Sequence, residues 1–259
     1  MSTKYDSIGV RYDASRRADP YLLHRILALL APISGGAYLD AACGSGNYTV
    51  ALSESGVNMT GLDVSSTMID SARQKSSAVN WIMGDASAVP FKDGTFDGAV
   101  CTLAIHHFEN LDSAFSEIWR VLRGGRLVIL TATRQQMRGY WLNAYFPEAM
   151  AKSIEQMPDE PDVERSLVEA GFKGIRTEPY DVRPDLRDMF LYSGKHRPEI
   201  YLDERIRSGI STFSHLMNPE EMKVGCERLR SDIASGRIQS VMESYDRPGG
   251  DYLFMTADA

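Results

Sequence analysis

The chain has 259 residues, 43% of them hydrophobic and 24% charged, the balance of an ordinary globular domain. Its formal charge of −7 comes with dispersed lysines and arginines, so no basic stripe for long nucleic acid is present. No apolar run approaches the ~20 residues of a membrane span, the N-terminus lacks the apolar core of a secretory signal, and Cys43, Cys101 and Cys226 form no CxxC pair. The expectation is a cytoplasmic protein with no membrane segment, no disulfide framework and no metal site.

Residues 1–19 mix aromatics with charges and show no period. Asp19-Pro20 then reads as a helix start, with Asp19 at the N-cap and Pro20 at the first helical position, and 21–30 carry apolar residues at helical spacing. Gly35-Gly36 breaks the chain before a buried strand at 37–42. Strands and helices alternate from there: a strand at 57–63, a helix at 65–74, strands at 79–83 and 96–103, an amphipathic helix at 113–122 and a strand at 125–132. This rhythm predicts a parallel sheet covered on both faces. After Thr133 the pattern changes. Residues 136–156 read as one aromatic-rich helix, 162–170 as a helix stopped by Gly171, 173–182 as a strand, 183–240 as mostly helical and 250–257 as a terminal strand. The reading is one domain over 1–259, with an N-terminal lid and helix at 1–31, a core at 35–132 and a helical cap at 183–247 inserted between the last two strands.

Three turns carry the chemistry. In Asp40-Ala41-Ala42-Cys43-Gly44-Ser45-Gly46 a strand ends in an acidic residue and glycines open a helix, a form that lets a ligand approach backbone without a Cβ in the way. A tight connection between strand and helix needs no ligand to explain it. Asp63 ends the second strand nineteen residues after Gly44, where a carboxylate can accept hydrogen bonds from both hydroxyls of a ribose; capping the next helix is the plainer role, though Ser65 or Ser66 can fill it. Gly84-Asp85-Ala86 follows the third strand, and a carboxylate there can accept from the exocyclic amine of adenine.

Together these segments resemble the class I S-adenosylmethionine-dependent methyltransferases, in particular the ubiquinone/menaquinone-biosynthesis-like subgroup, methyltransferase type 11. The resemblance runs through LDAACGSGNYT (39–49), GLDVSSTMIDSAR (61–73), GDASAVPFKDGTFDGAVC (84–101), LAIHHF (103–108) and EIWRVLRGGRLVIL (117–130). It implies a Rossmann-like α/β fold with a seven-stranded, mostly parallel sheet whose seventh strand lies antiparallel between the fifth and sixth. It also implies S-adenosyl-L-methionine as cofactor. Asp40, Gly44 and Gly46 then form the methionine-side loop, with Ala42 where the family usually has another glycine, tolerable if its φ is negative. Asp63 holds the ribose, Val64 and Met68 flank the adenine, Asp85 and the Ala86 amide read its edge, and Leu103 offers a carbonyl near the cofactor's amino group. Tyr12, in a Tyr12-Asp13-x-x-Arg16 pattern, resembles a segment that folds over the cofactor. The Arg123-Gly124-Gly125 turn is one residue shorter than the family's and lacks its proline.

The resulting expectation is methyl transfer by in-line displacement to a small-molecule acceptor, with no nucleic-acid partner and catalysis mostly by positioning. His107 is the expected base if the acceptor must lose a proton, with His106 or Tyr12 as alternatives. Two other readings remain at this point. A nicotinamide-dependent oxidoreductase explains the glycine turn and Asp63 but leaves Asp85 unused and has Thr49 in place of a third glycine. A noncatalytic cofactor-binding regulator is the other, with the aromatics of 136–156 as a partner surface.

Overall fold

The computed structural model describes residues 15–259. Tyr12 and the segment around it lie outside the described residues. Asp19 caps the first helix among the described residues, α1 (Pro20–Leu30), accepting from the Tyr21 and Leu22 amides at 2.9 and 3.1 Å. The alternation that follows is β1 (Ala37–Ala41), α2 (Asn47–Glu54), β2 (Asn58–Asp63), α3 (Ser66–Lys75), β3 (Asn80–Met83), β4 (Phe96–Thr102), α4 (Leu111–Val121) and β5 (Leu122–Thr131). Short helices α5 (Arg134–Arg138), α6 (Pro147–Gln156) and α7 (Glu160–Ala170) lead to β6 (Lys173–Tyr180). The cap helices α8 (Glu204–Ser208), α9 (Pro219–Ser235) and α10 (Ile238–Tyr245) precede β7 (Tyr252–Asp258).

The sheet order is β3-β2-β1-β4-β5-β7-β6. The first five strands are parallel, and β7 runs antiparallel between β5 and β6. Successive side chains of a strand point to opposite faces, and the two cores follow that rule. Leu127, Ile129 and Met255 join one cluster with Phe115, Ile118 and Leu167 from α4 and α7. Val128, Leu130 and Phe254 join the other with Ile26, Leu52 and Ile69 from α1, α2 and α3. At about 25 cal/mol per Å² of apolar surface, these two clusters are the main favourable term in folding. The parallel strands all end at one edge, where ligands bind in such sheets.

The structure corrects several expected boundaries. Residues 136–156 are not one helix: α5, a 3₁₀ turn at Trp141–Ala144 and α6 share the span. One continuous helix would spread Tyr140, Trp141, Tyr145 and Phe146 around most of its circumference, whereas all four are buried in a single core. Pro147 restarts the helix at its first position. Residues 183–197 contain no helix either; the backbone from Val182 onward is held from outside, Val182 N by Asp251 at 2.7 Å, Arg187 N by Asp19 at 2.9 Å and Tyr192 N by the Tyr252 hydroxyl at 3.2 Å. The expected turn at Arg123-Gly124-Gly125 lies inside β5, beside a register shift between Phe96 and Gly98. Glycine is required there, because a Cβ on Gly125 would sit 1.9 Å from the Asp97 carbonyl oxygen.

The cap also draws on more of the chain than 183–247. Gly225 of α9 lets Phe146 approach to where a Cβ would be 2.4 Å from its ring, and Glu221 of α9 accepts from the Glu148 amide at 2.7 Å. The 134–156 stretch and α9 therefore pack as one unit above the strand ends.

Candidate cofactor and acceptor site

The β1 turn brings together the residues that the sequence singled out. Asp40 is 1% exposed, and its Oδ2 accepts from Thr49 Oγ1 at 2.6 Å. Its Oδ1 is buried without a hydrogen-bond partner. Desolvation pushes the carboxyl up to about 7, against the Thr49 bond that favours ionisation. A buried acceptor left open is costly in an otherwise satisfied interior. It is what a bound ammonium group would satisfy.

The two glycines of the turn have different reasons. Gly44 has φ +55 and open space where a Cβ would stand, leaving its backbone approachable. Gly46 has φ +78, and a Cβ there would lie 2.3 Å from the Trp81 ring, so its glycine serves packing of the turn on β3. Ala42 has φ 61, contrary to the negative φ under which alanine would be unstrained. Left-handed backbone costs an L-residue roughly 1–2 kcal/mol. Leu103, after β4, has φ 54. Such strain gathers at functional sites, and here it marks the ends of two adjacent strands. Residue signals missed in the sequence are Thr49, on the inner face of α2, and Lys75, whose Nζ binds the Ser45 carbonyl at 2.8 Å and Asn47 Oδ1 at 2.7 Å. Lys75 stands thirty residues away, in the last turn of α3.

Asp63 clasps the same turn from β2. Its Oδ2 accepts from the Gly44 amide at 2.8 Å and its Oδ1 from the Ser65 amide at 2.9 Å. Ser65, not Asp63, caps α3, accepting from Met68 N. The Val64 amide also favours the ionised carboxylate, and the two oxygens together still have capacity for a further donor. Val64 is 53% exposed beside it, and Met83, opposite Asp63 in the β2–β3 register, is 60% exposed. Met68 is fully packed in the interior. Asp85 is exposed with Oδ1 taking the Ser87 amide at 2.8 Å, and Ala86 is buried.

His106 and His107 follow β4 in a 3₁₀ turn, their rings 3.8 Å apart. The two differ in setting. His107 is exposed, whereas His106 Nδ1 is buried and has no hydrogen-bond partner. Burial lowers the His106 imidazole to about 4, so it is neutral near pH 7. Both line a cavity of about 90 Å³ with Leu103, Met137, Phe190 and Ile210, closed at one side by Arg16. Arg16 forms a bidentate ion pair with buried Asp188, at 2.5 and 3.2 Å, and Tyr48 donates to that carboxylate at 3.3 Å. The N-terminal segment is thereby tied to the cap across the strand ends. A larger cavity of about 510 Å³ lies by Trp141, Lys195 and Arg247. It holds none of these strand-end residues. Among the described residues no cluster has the side chains to hold a metal ion, and no helix is long and apolar enough to cross a membrane.

Residues 39–130 match the methyltransferase domain family. The chain is 28% identical over 196 residues to a demethylmenaquinone methyltransferase of Beutenbergia cavernae, covering 66% of this chain and 82% of that protein. A crystal structure of a putative methyltransferase from an antibiotic biosynthesis pathway of Anabaena variabilis is 29% identical, with a TM-score of 0.83 over 94% of this chain and 98% of that one. The Haemonchus contortus phosphoethanolamine N-methyltransferase 2 in complex with S-adenosyl-L-methionine shares the fold at 20% identity, with a TM-score of 0.59 over 98% of this chain and 57% of that one. Fold, strand order and domain match define a class I S-adenosylmethionine-dependent methyltransferase. Within that class the matched domain and the named relative are similar to the methyltransferase type 11, ubiquinone/menaquinone-biosynthesis-like subgroup, and the chain transfers methyl groups to a small-molecule acceptor.

Proposed function

We propose that the β1, β2 and β3 turns hold the cofactor and that the cavity beside His106 receives the acceptor. The open Oδ1 of Asp40 carries this reading. S-adenosylmethionine, when bound, supplies an electrophilic methyl on a sulfonium. Asp40 pairs with its ammonium group, and Gly44 lets the chain lie against it. Asp63 has the lone pairs to accept from the ribose while holding the turn in shape, and Asp85 with the Ala86 amide reads the adenine edge. Val64 and Met83, exposed at neighbouring strand ends, flank the base. Leu103 marks the boundary between the two halves, since it lines the acceptor cavity and directly follows β4.

Catalysis in this arrangement is positioning with water excluded. The Arg16–Asp188 pair and the cap close the acceptor side. His107 remains a candidate for meeting the acceptor's proton, from an exposed position on the rim. The three cysteines are separate free thiols, which supports a reducing, cytoplasmic setting. Titration calorimetry with S-adenosylmethionine tests the reading: the parent binds, and Asp40→Ala binds 10-fold or more weakly, on the order of a lost charge-assisted hydrogen bond. Equal affinity in the two proteins would place the cofactor elsewhere.

A further inference from the structure

The acceptor cavity has an electrostatic character that narrows what it takes. Its one cationic side chain among the described residues, Arg16, is already matched by both oxygens of Asp188. None of its described lining residues is a carboxylate. Among the described lining residues a phosphorylated acceptor meets no unspent cation and an ammonium acceptor no counter-ion. An ion buried without a partner costs several kcal/mol.

Among the described lining residues the buried polar atom without a partner is the Nδ1 of His106, in a wall that it shares with Leu103, Met137, Phe190 and Ile210. Ser153 and Thr212, also in the lining, satisfy each other at 2.9 Å. The cavity measures about 90 Å³, room for about three waters at the ~30 Å³ each takes in the liquid, so a group seated in it is no larger than a single small ring.

Resting on the reading of this cavity as the acceptor end, we infer that the enzyme takes an uncharged, ring-sized, apolar acceptor whose single O–H or N–H donates a hydrogen bond to His106 Nδ1. That bond turns a lone pair of the acceptor atom toward the Leu103 side of the cavity, where the β1 and β4 strand ends meet. The neutral state of His106 near pH 7 suits an acceptor of hydrogen bonds. Its low basicity makes it an orienting group first.

The test uses the full chain saturated with S-adenosylhomocysteine and four probes: phenol, toluene, phenyl phosphate and benzylammonium. Binding is followed by saturation-transfer nuclear magnetic resonance and calorimetry. Phenol is expected to bind roughly tenfold more tightly than toluene, the worth of one hydrogen bond, and both charged probes at least tenfold more weakly than phenol. His106→Phe loses the preference for phenol over toluene, and His106→Asn, whose amide oxygen falls near the Nδ1 position, restores it. Because the readout is a ratio of two ligands in one protein, a general loosening of the cavity does not move it. A preference that survives in His106→Phe, a charged probe that binds best, or no phenol binding to the S-adenosylhomocysteine complex overturns the inference. Failure of S-adenosylhomocysteine itself to bind overturns the cofactor reading, and this inference with it.

Discussion

Thr49 donates to one oxygen of the Asp40 carboxylate at 2.6 Å, while the other oxygen of that carboxylate is buried without a partner. The pair spans β1 and α2 across the glycine turn. It holds an acidic group in a desolvated place with one side left open.

The first prediction is a pH dependence of cofactor binding. Burial raises Asp40 to about 7 in the free protein, and a bound ammonium favours the ionised form. Affinity for S-adenosylmethionine therefore rises with pH up to about 7 and levels off above it, losing up to roughly tenfold per unit below. Calorimetry from pH 5.5 to 8.5 measures the slope. A flat profile in the parent protein, matching that of Asp40→Asn, would remove Asp40 from the ammonium site.

The same carboxyl makes the free protein less stable as pH rises. Its folded value of about 7 lies above the unfolded one, so its contribution is full below about pH 4 and is lost as pH climbs through 7. Asp40→Asn keeps the shape without the charge. It is expected to exceed the parent by on the order of 2–4 kcal/mol at pH 8, with the gap closing toward pH 5. Urea unfolding at both pH values decides the matter, and a gap of constant size counts against the assignment.

His106 has the opposite sign. Its folded value of about 4 lies below the unfolded histidine range, so the unfolded chain binds a proton that the folded one refuses. Stability falls as pH drops from about 6.5 to 4, by up to about 3 kcal/mol from this one group. His106→Leu should flatten that part of the acid profile relative to the parent. Parallel slopes between pH 6.5 and 4.5 would mean that His106 has access to water.

Gly46 and Gly56 separate strain from collision. Both have positive φ, +78 and +90, but a Cβ on Gly46 meets Trp81 at 2.3 Å, whereas one on Gly56 meets nothing within 4 Å. Gly56→Ala is expected to cost about 1 kcal/mol and Gly46→Ala about 2–4. Thermal denaturation of the two variants gives the comparison; equal losses would show that Trp81 moves aside freely.

Two ion pairs bind distant parts of the chain with different consequences. In the Arg16–Asp188 pair the carboxylate is buried and the guanidinium 13% exposed, whereas the Arg25–Glu178 pair is about a third exposed on both sides. Asp188→Ala should destabilise by about 3 kcal/mol, because a largely desolvated guanidinium loses its counter-ion. Glu178→Ala should cost below about 1 kcal/mol. Hydrogen exchange should also rise at Met189, whose amide binds the Ser15 carbonyl at 3.3 Å, in the first variant alone. No change there would dissociate the pair from cap closure.

Much of this protein was legible in the linear chain, because the signals involved are local. The alternation of apolar runs with amphipathic stretches gave five parallel strands in order, and Asp19-Pro20 and Gly171 marked helix ends through capping chemistry that acts within one turn. The acidic residues closing β1 and β2 and the Gly84-Asp85 loop were visible by spacing, and the structure brings all of them to one edge of the sheet. Contacts between distant segments were not legible. Lys75 on the glycine turn, Trp81 in the space that Gly46 vacates and Asp188 on Arg16 depend on chain crossings of 28 to 172 residues, which no local pattern encodes. The break of 136–156 into three pieces belongs to the same class, since four aromatics there settled into one shared core at the expense of a continuous helix. The sequence by itself determined the sheet, its chemistry-bearing turns and the class of reaction, because strand period, glycine and carboxylate placement act locally. Only the tertiary structure decided that Asp40 keeps an open oxygen, that Ala42 takes a left-handed backbone and that His106 turns inward while His107 faces out, because burial is a property of how distant segments close over a site.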